Sequence, residues 1–132
     1  MKVFLDTNVW LSATIFPGLC ESLVMACAER DWLLTSPLVR EEAHRDLASK
    51  FPRQTDAPAL FDISWSEAQC IADVADPADD GDARLVAAAV AAGAELFVTG
   101  DKRILDWLAS GSMRIASPRQ AWIILFEPQL NH

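Results

Sequence analysis

Four short apolar runs punctuate the chain, at residues 3–5, 32–35, 96–98 and 113–116, and helix-like stretches separate them. Runs this short cannot make helices, and the first, Val3-Phe4-Leu5, reads as a strand buried on both faces. The intervening stretches carry apolar residues at helical spacing. Leu23, Val24, Cys27 and Ala28 form one such stripe. Ser36-Pro37 and Ser117-Pro118 place a capping residue ahead of a proline suited to the first helical position. The expected helices cover residues 8–16, 20–30, 37–50, 66–74, 83–92, 102–108 and 118–126. Residues 51–60 hold two prolines and read as a loop. Alternation of strand and helix predicts an α/β fold, a three-layer α/β/α sandwich with a mainly parallel central sheet.

A length of 132 residues fits one domain over 1–132, and 52% hydrophobic content supports a packed core rather than disorder. No apolar stretch reaches the roughly 18 residues that span a bilayer. Only a few residues precede Asp6, too few for a signal peptide. A cytoplasmic protein without a membrane partner is therefore expected. Cys20, Cys27 and Cys70 form no CxxC pair and read as reduced, buried thiols, and two histidines are too few for a zinc site. A net charge of −8 disfavours binding nucleic acid through bulk charge. It leaves room for a nucleic-acid enzyme whose carboxylates hold metal.

The acids fall in a pattern. In an open parallel sheet, ligands bind at the carboxyl ends of the strands. Asp6 follows the first strand and Asp101 the third, each ahead of a helix, so helix capping is the plain alternative for both. On the helix over 37–50, Val39, Ala43 and Leu47 mark the buried stripe. Glu42 lies about 60° from Val39, at the stripe's margin, and Glu41 about 160° away, toward solvent. Asp79, Asp80 and Asp82 crowd an acidic turn, with Asp82 in the first turn of an Ala-rich helix, where the helix dipole favours a carboxylate. Drawn together, such acids repel unless a cation joins them. Oxygen-only ligands select Mg²⁺ or Mn²⁺ over zinc, and such a centre suits phosphoryl-transfer chemistry.

The segments "LDTN", "SPLVREE", "DARLVAAAVAAGAELFVTGD" and "SPRQAWIIL", in this order, resemble the PIN domain, and within it the small prokaryotic toxin–antitoxin proteins of VapC type. The resemblance covers about residues 2–126. It implies a metal-dependent endoribonuclease that leaves 5′-phosphate and 3′-hydroxyl ends. Matched by position, Asp6, Glu42, Asp82 and Asp101 are the catalytic acids. Asp6, Asp82 and Asp101 would hold Mg²⁺ or Mn²⁺, with Glu42 in support and Asp79 as a further candidate. Thr7, Asn8 and Thr99 would orient them. Arg103 stands where many relatives carry another acid. Arg40, Arg45, Arg84, Lys102 and Arg103 could form a basic rim for RNA phosphates, with ordinary surface charge as the alternative. A homodimer and a cognate antitoxin are the implied partners. The competing reading is a PIN-fold RNA-binding or regulatory module with weak or no activity. A haloacid-type phosphatase is disfavoured because Asp6-Thr7-Asn8 lacks the second carboxylate of a DxD motif. A phospho-receiver is disfavoured because Thr35-Ser36, not Asp, ends the second strand.

Overall fold

The computed structural model describes residues 1–75 and 80–127. In chain order the elements are β1 (Val3–Leu5), α1 (Thr7–Ile15), α2 (Leu19–Glu29), β2 (Leu33–Thr35), α3 (Pro37–Lys50), α4 (Ala57–Ser66) and β3 (Gln69–Cys70). They continue with α5 (Gly81–Ala91), β4 (Leu96–Val98), α6 (Lys102–Leu105), β5 (Ala109–Ser110), β6 (Met113–Ala116) and α7 (Pro118–Phe126). The strands form one sheet in the order β3-β2-β1-β4-β6-β5, with every pair parallel except β5–β6.

Successive strand residues point to opposite faces, yet β1, β2 and β4 are buried at every position. Both faces of the central sheet are therefore covered, which gives the three-layer α/β sandwich expected from the alternation. α1, α3 and α4 pack against one another, and α2 packs on α1 and on α7, which touches β4 and β6. Phe4 and Phe97 lie opposite each other in the β1–β4 register, and their rings stack with centroids 5.5 Å apart. Trp10 of α1 meets Phe61 of α4 edge-on at 5.9 Å. No single described helix is long and apolar enough to cross a membrane.

β1 lies between β2 and β4. After β1 the chain builds outward to β2 and β3, then returns to the other side of β1 as β4. The order reverses between β1 and β4, so their carboxyl ends flank a crevice of the kind where α/β sheets bind ligands.

Four expectations need correction. The second helix of the middle region is not at 66–74 but at Ala57–Ser66. Pro58 stands in its first turn, where a missing N–H costs nothing, so the proline starts a helix rather than marking a loop. Ser66 ends that helix, with its hydroxyl donating back to the Ile63 carbonyl at 2.7 Å. Gln69–Cys70 is instead an edge strand, fixed by pairing with Leu34 and Thr35 and by Ile71 N–H donating to the Thr35 carbonyl at 2.7 Å. The helix expected over 102–108 stops at Leu105. Leu108 takes a left-handed conformation (φ 62°), and a turn at Gly111 (φ 60°) folds β5 back onto β6. Of the three thiols only Cys27 is buried, its pKa pushed up to about 11 by burial, while Cys70 is exposed on the edge strand.

The fourth correction concerns the start of α3. Ser36 is the N-cap residue, but its side chain makes no capping hydrogen bond, and its buried Oγ has no partner among the described residues. The Leu38 N–H donates instead to Oδ1 of Asp73, 3.1 Å away and 35 residues later in the chain. The helix is capped from outside. Asp73→Ala should therefore cost about 1 kcal/mol in urea denaturation, whereas Ser36→Ala should change stability by less than about 0.5 kcal/mol. Equal losses would return the capping role to Ser36.

Candidate metal centre at the carboxyl edge of the sheet

β1 ends at Leu5, paired with Val98, so Asp6 emerges beside Thr99. Asp6 caps α1, and its Oδ1 accepts the Thr7 N–H at 2.8 Å. Its Oδ2 accepts from Thr99 Oγ1 at 2.7 Å and from Asn8 Nδ2 at 3.0 Å. Only 3% of Asp6 is exposed. Burial pushes its pKa up to about 6, and Asp82 and Glu42 add repulsion, against the hydrogen bonds from Thr99 and Thr7. Capping does not use up this carboxylate, because its Oδ2 is held apart from the cap by Thr99 and Asn8.

Thr7 ties the next acid to the first. Its hydroxyl donates to Glu42 Oε1 at 2.7 Å, while its N–H holds Asp6. Glu42 reaches in from the margin of α3, half-buried, as the helical geometry predicts, and Glu41 beside it is exposed. Burial raises the Glu42 pKa, and Asp82 and Asp46 raise it further, against the Thr7 hydrogen bond and the charge of Arg45.

Asp82 lies in the first turn of α5. The cap of that helix is Asp80, whose Oδ1 accepts from Asp82 N–H at 3.0 Å and Ala83 N–H at 3.3 Å. Between them, a Cβ on Gly81 would stand 2.5 Å from Glu42 Oε2. Glycine lets the start of α5 approach the Glu42 carboxylate. Asp80 stands in the acidic turn picked out from the sequence, where capping was its plain reading, and it is the cap; Gly81 was not singled out by sequence reasoning. A glycine at the first helical position, where better helix formers are available, is the signal that could have found Gly81.

Asp101 caps α6, with Oδ1 accepting from Arg103 N–H at 2.8 Å. It is linked to Asp6 through Thr99, whose Oγ1 accepts from Asp101 N–H at 3.0 Å. Asn8 closes the bracket, its Oδ1 accepting from Gly100 N–H at 2.9 Å. Asp101 and Asn8 also line an open hollow of about 380 Å³. Asp79 lies outside the described residues.

Of the five cations expected at a basic rim, three have partners within the chain. Arg103 pairs with Asp82, and Arg40 pairs with Asp62 at 3.0 Å, where His44 also bonds at 2.7 Å. Arg84 donates to the Val74 carbonyl at 2.9 Å. Arg45 and Lys102 are exposed.

A family model described as PIN domain matches residues 2–103. The chain belongs to the PIN domain family. The matched segment of this PIN domain holds Asp6, Glu42, Asp82 and Asp101 and ends at Arg103. Among solved structures, the PIN domain is similar to a chain in the crystal structure of VapBC2 from Rickettsia felis bound to a DNA fragment from its promoter. That similarity has a TM-score of 0.66 and 14% identity, and covers 89% of this chain and 98% of the other. At this identity it is the fold that is shared. No curated protein matches the sequence.

A divalent ion is what this family implies, and the donor set can be tested for it. Among the described residues, no three acids, histidines or cysteines are gathered into a ready metal site. Arg103 engages Asp82, and Asp101 is engaged in capping. The chemistry nonetheless fits a hard cation. The donors are all oxygen, and Asp6, Glu42 and Asp82 repel one another across a small space.

Two predictions follow from this geometry. A carboxyl whose pKa is raised in the folded state binds protons more tightly there than in the unfolded chain. The contribution of Asp6 to stability is then greatest below about pH 4 and is lost as pH rises through about 6, by at most about 3 kcal/mol. In EDTA the melting temperature should fall from about pH 5 to pH 7, and Asp6→Asn should flatten that slope. An unchanged slope would remove Asp6 as its source. Gly81→Ala should displace the Glu42 carboxylate, weakening Mn²⁺ binding by calorimetry while stability stays within about 1 kcal/mol. Unaltered affinity would show that the close approach is not needed.

Proposed function

We propose that this chain is a Mg²⁺- or Mn²⁺-dependent endoribonuclease and the toxin of a VapC-like toxin–antitoxin pair. The observation that carries this reading is the convergence of Asp6, Glu42 and Asp82 from three separate elements on one crevice, with the first two held above their ordinary pKa by burial and further by the charge of Asp82. Such an arrangement works against stability unless a cation compensates it.

Asp6, Asp82 and Asp101 would hold the ion, with Glu42 in support. When bound, the ion supplies a nucleophile from water at neutral pH and stabilises charge on the phosphate under attack. The protein's own groups fix the geometry. Thr99 and Asn8 hold Asp6 Oδ2, Thr7 N–H holds Oδ1, and the Thr7 hydroxyl holds Glu42 Oε1. Oε2 of Glu42 is left as the oxygen able to meet a cation or take a proton. Arg45 and Lys102, both exposed, are the residues proposed to meet RNA phosphates. Arg40 would join them only by leaving its exposed pair with Asp62. The products would carry 5′-phosphate and 3′-hydroxyl ends. By analogy with the VapBC2 complex, a cognate antitoxin is the proposed partner, and a homodimer in the cytoplasm the proposed state.

A second reading, a PIN-fold RNA-binding module without useful activity, is favoured by one observation: Asp82 is paired with Arg103.

One assay separates the two. Purified protein with structured RNA should cleave in Mg²⁺ or Mn²⁺, stop in EDTA, and lose on the order of a hundredfold or more with Asp6→Asn. Equal cleavage by wild type and Asp6→Asn would sink the nuclease reading, and RNA binding without cleavage would establish the second one. A small open reading frame immediately upstream of the gene would support the toxin assignment.

A further inference from the structure

Arg103 is placed by two acids. Its backbone N–H is fixed by Asp101 Oδ1 at 2.8 Å, and its guanidinium pairs with Asp82 Oδ2 on α5. Asp101 and Asp80 add to the negative field around it. One guanidinium thus stands among three carboxylates, two of them among the proposed cation ligands. Asp82 in turn faces Asp6 and Glu42, each of which feels its charge.

Two properties make this pair exchangeable rather than permanent. The Arg103 side chain is 65% exposed, and pairs at such exposure are weak. A guanidinium also keeps its charge at every ordinary pH, so the pair cannot be opened by losing a proton. A competing cation can open it. A compact divalent ion with several carboxylates to bind outcompetes one exposed guanidinium bound to a single carboxylate.

We propose that Arg103 is a resident counter-cation of the carboxylate centre, neutralising Asp82 while no divalent ion is bound and displaced from it when one binds. The inference rests on the reading of this centre as a divalent-ion site. It assigns Arg103 a positioning role toward Asp82 in place of a direct phosphate contact in the metal-free protein.

The test uses the full chain without RNA. After treatment with EDTA and its removal, Mn²⁺ is titrated by calorimetry into wild type, Arg103→Ala and Arg103→Lys. Arg103→Ala should bind Mn²⁺ about two- to fivefold more tightly, and Arg103→Lys should stay near wild type. The melting temperature of metal-free Arg103→Ala should lie below that of wild type, and the gap should close in saturating Mn²⁺. A merely structural arginine would leave the same gap with and without the ion, and that result, or equal Mn²⁺ affinity, overturns the proposal. Should the alanine variant fail to fold, Arg103→Gln gives the same comparison with the side-chain length kept. If wild type and variants alike bind no Mn²⁺, the divalent-ion reading itself falls, and this inference with it.

Discussion

The buried carboxylate of Asp6, gripped by Thr99, is the interaction around which the rest is arranged. A charge taken out of water at the end of a core strand is costly unless donors surround it. Here three donors come from two sides. Thr7 and Asn8 come from the helix that Asp6 itself starts, and Thr99 comes from the neighbouring strand end. The bond to Thr99 requires β1 and β4 to be adjacent, parallel and in register at Leu5 and Val98. That adjacency in turn requires the sheet to reverse its order at this point. Core packing, shown by the stacked Phe4 and Phe97, and the polar bracket above it therefore enforce the same alignment.

Much of this was legible from residue order, because the informative signals were local. β1, β4 and β6 were expected at their observed positions, since runs such as Val3-Phe4-Leu5 can hardly be anything but buried strand. α7 was expected with its Ser117-Pro118 start, and the structure adds a full capping box with Gln120. The helical angle of Glu42 was likewise local information. What failed depended on distant partners. Gln69–Cys70 has no strand signal of its own and becomes a strand because β2 offers it an edge. Ser36 looks like a cap, but Asp73, 35 residues beyond the Leu38 N–H it accepts from, does that work. Pro58 misled because a proline in the first turn of a helix and a proline in a loop look alike in one sequence.

The site shows the same division. Which acids lie at the carboxyl edge could be argued from strand ends and helix starts, but their coupling could not. Thr7 bridging Asp6 and Glu42, Gly81 admitting the Glu42 carboxylate, and Arg103 crossing from α6 to Asp82 are all relations between elements. The basic rim was the weakest part of the sequence argument. Proximity along the chain says little about which acid a long cationic side chain will choose, and Arg40 and Arg103 each chose one.

The hydrogen bond from Thr99 to Asp6 spans 93 positions of sequence. Its length has a temporal meaning. A ribosome releases residue 6 long before residue 99, and until Thr99 and Asp101 have emerged and β4 has docked, the first carboxylate has only the donors of its own helix, Thr7 and Asn8, and the crevice lacks one wall. The bracket around Asp6 is therefore completed only when β4 lies beside β1.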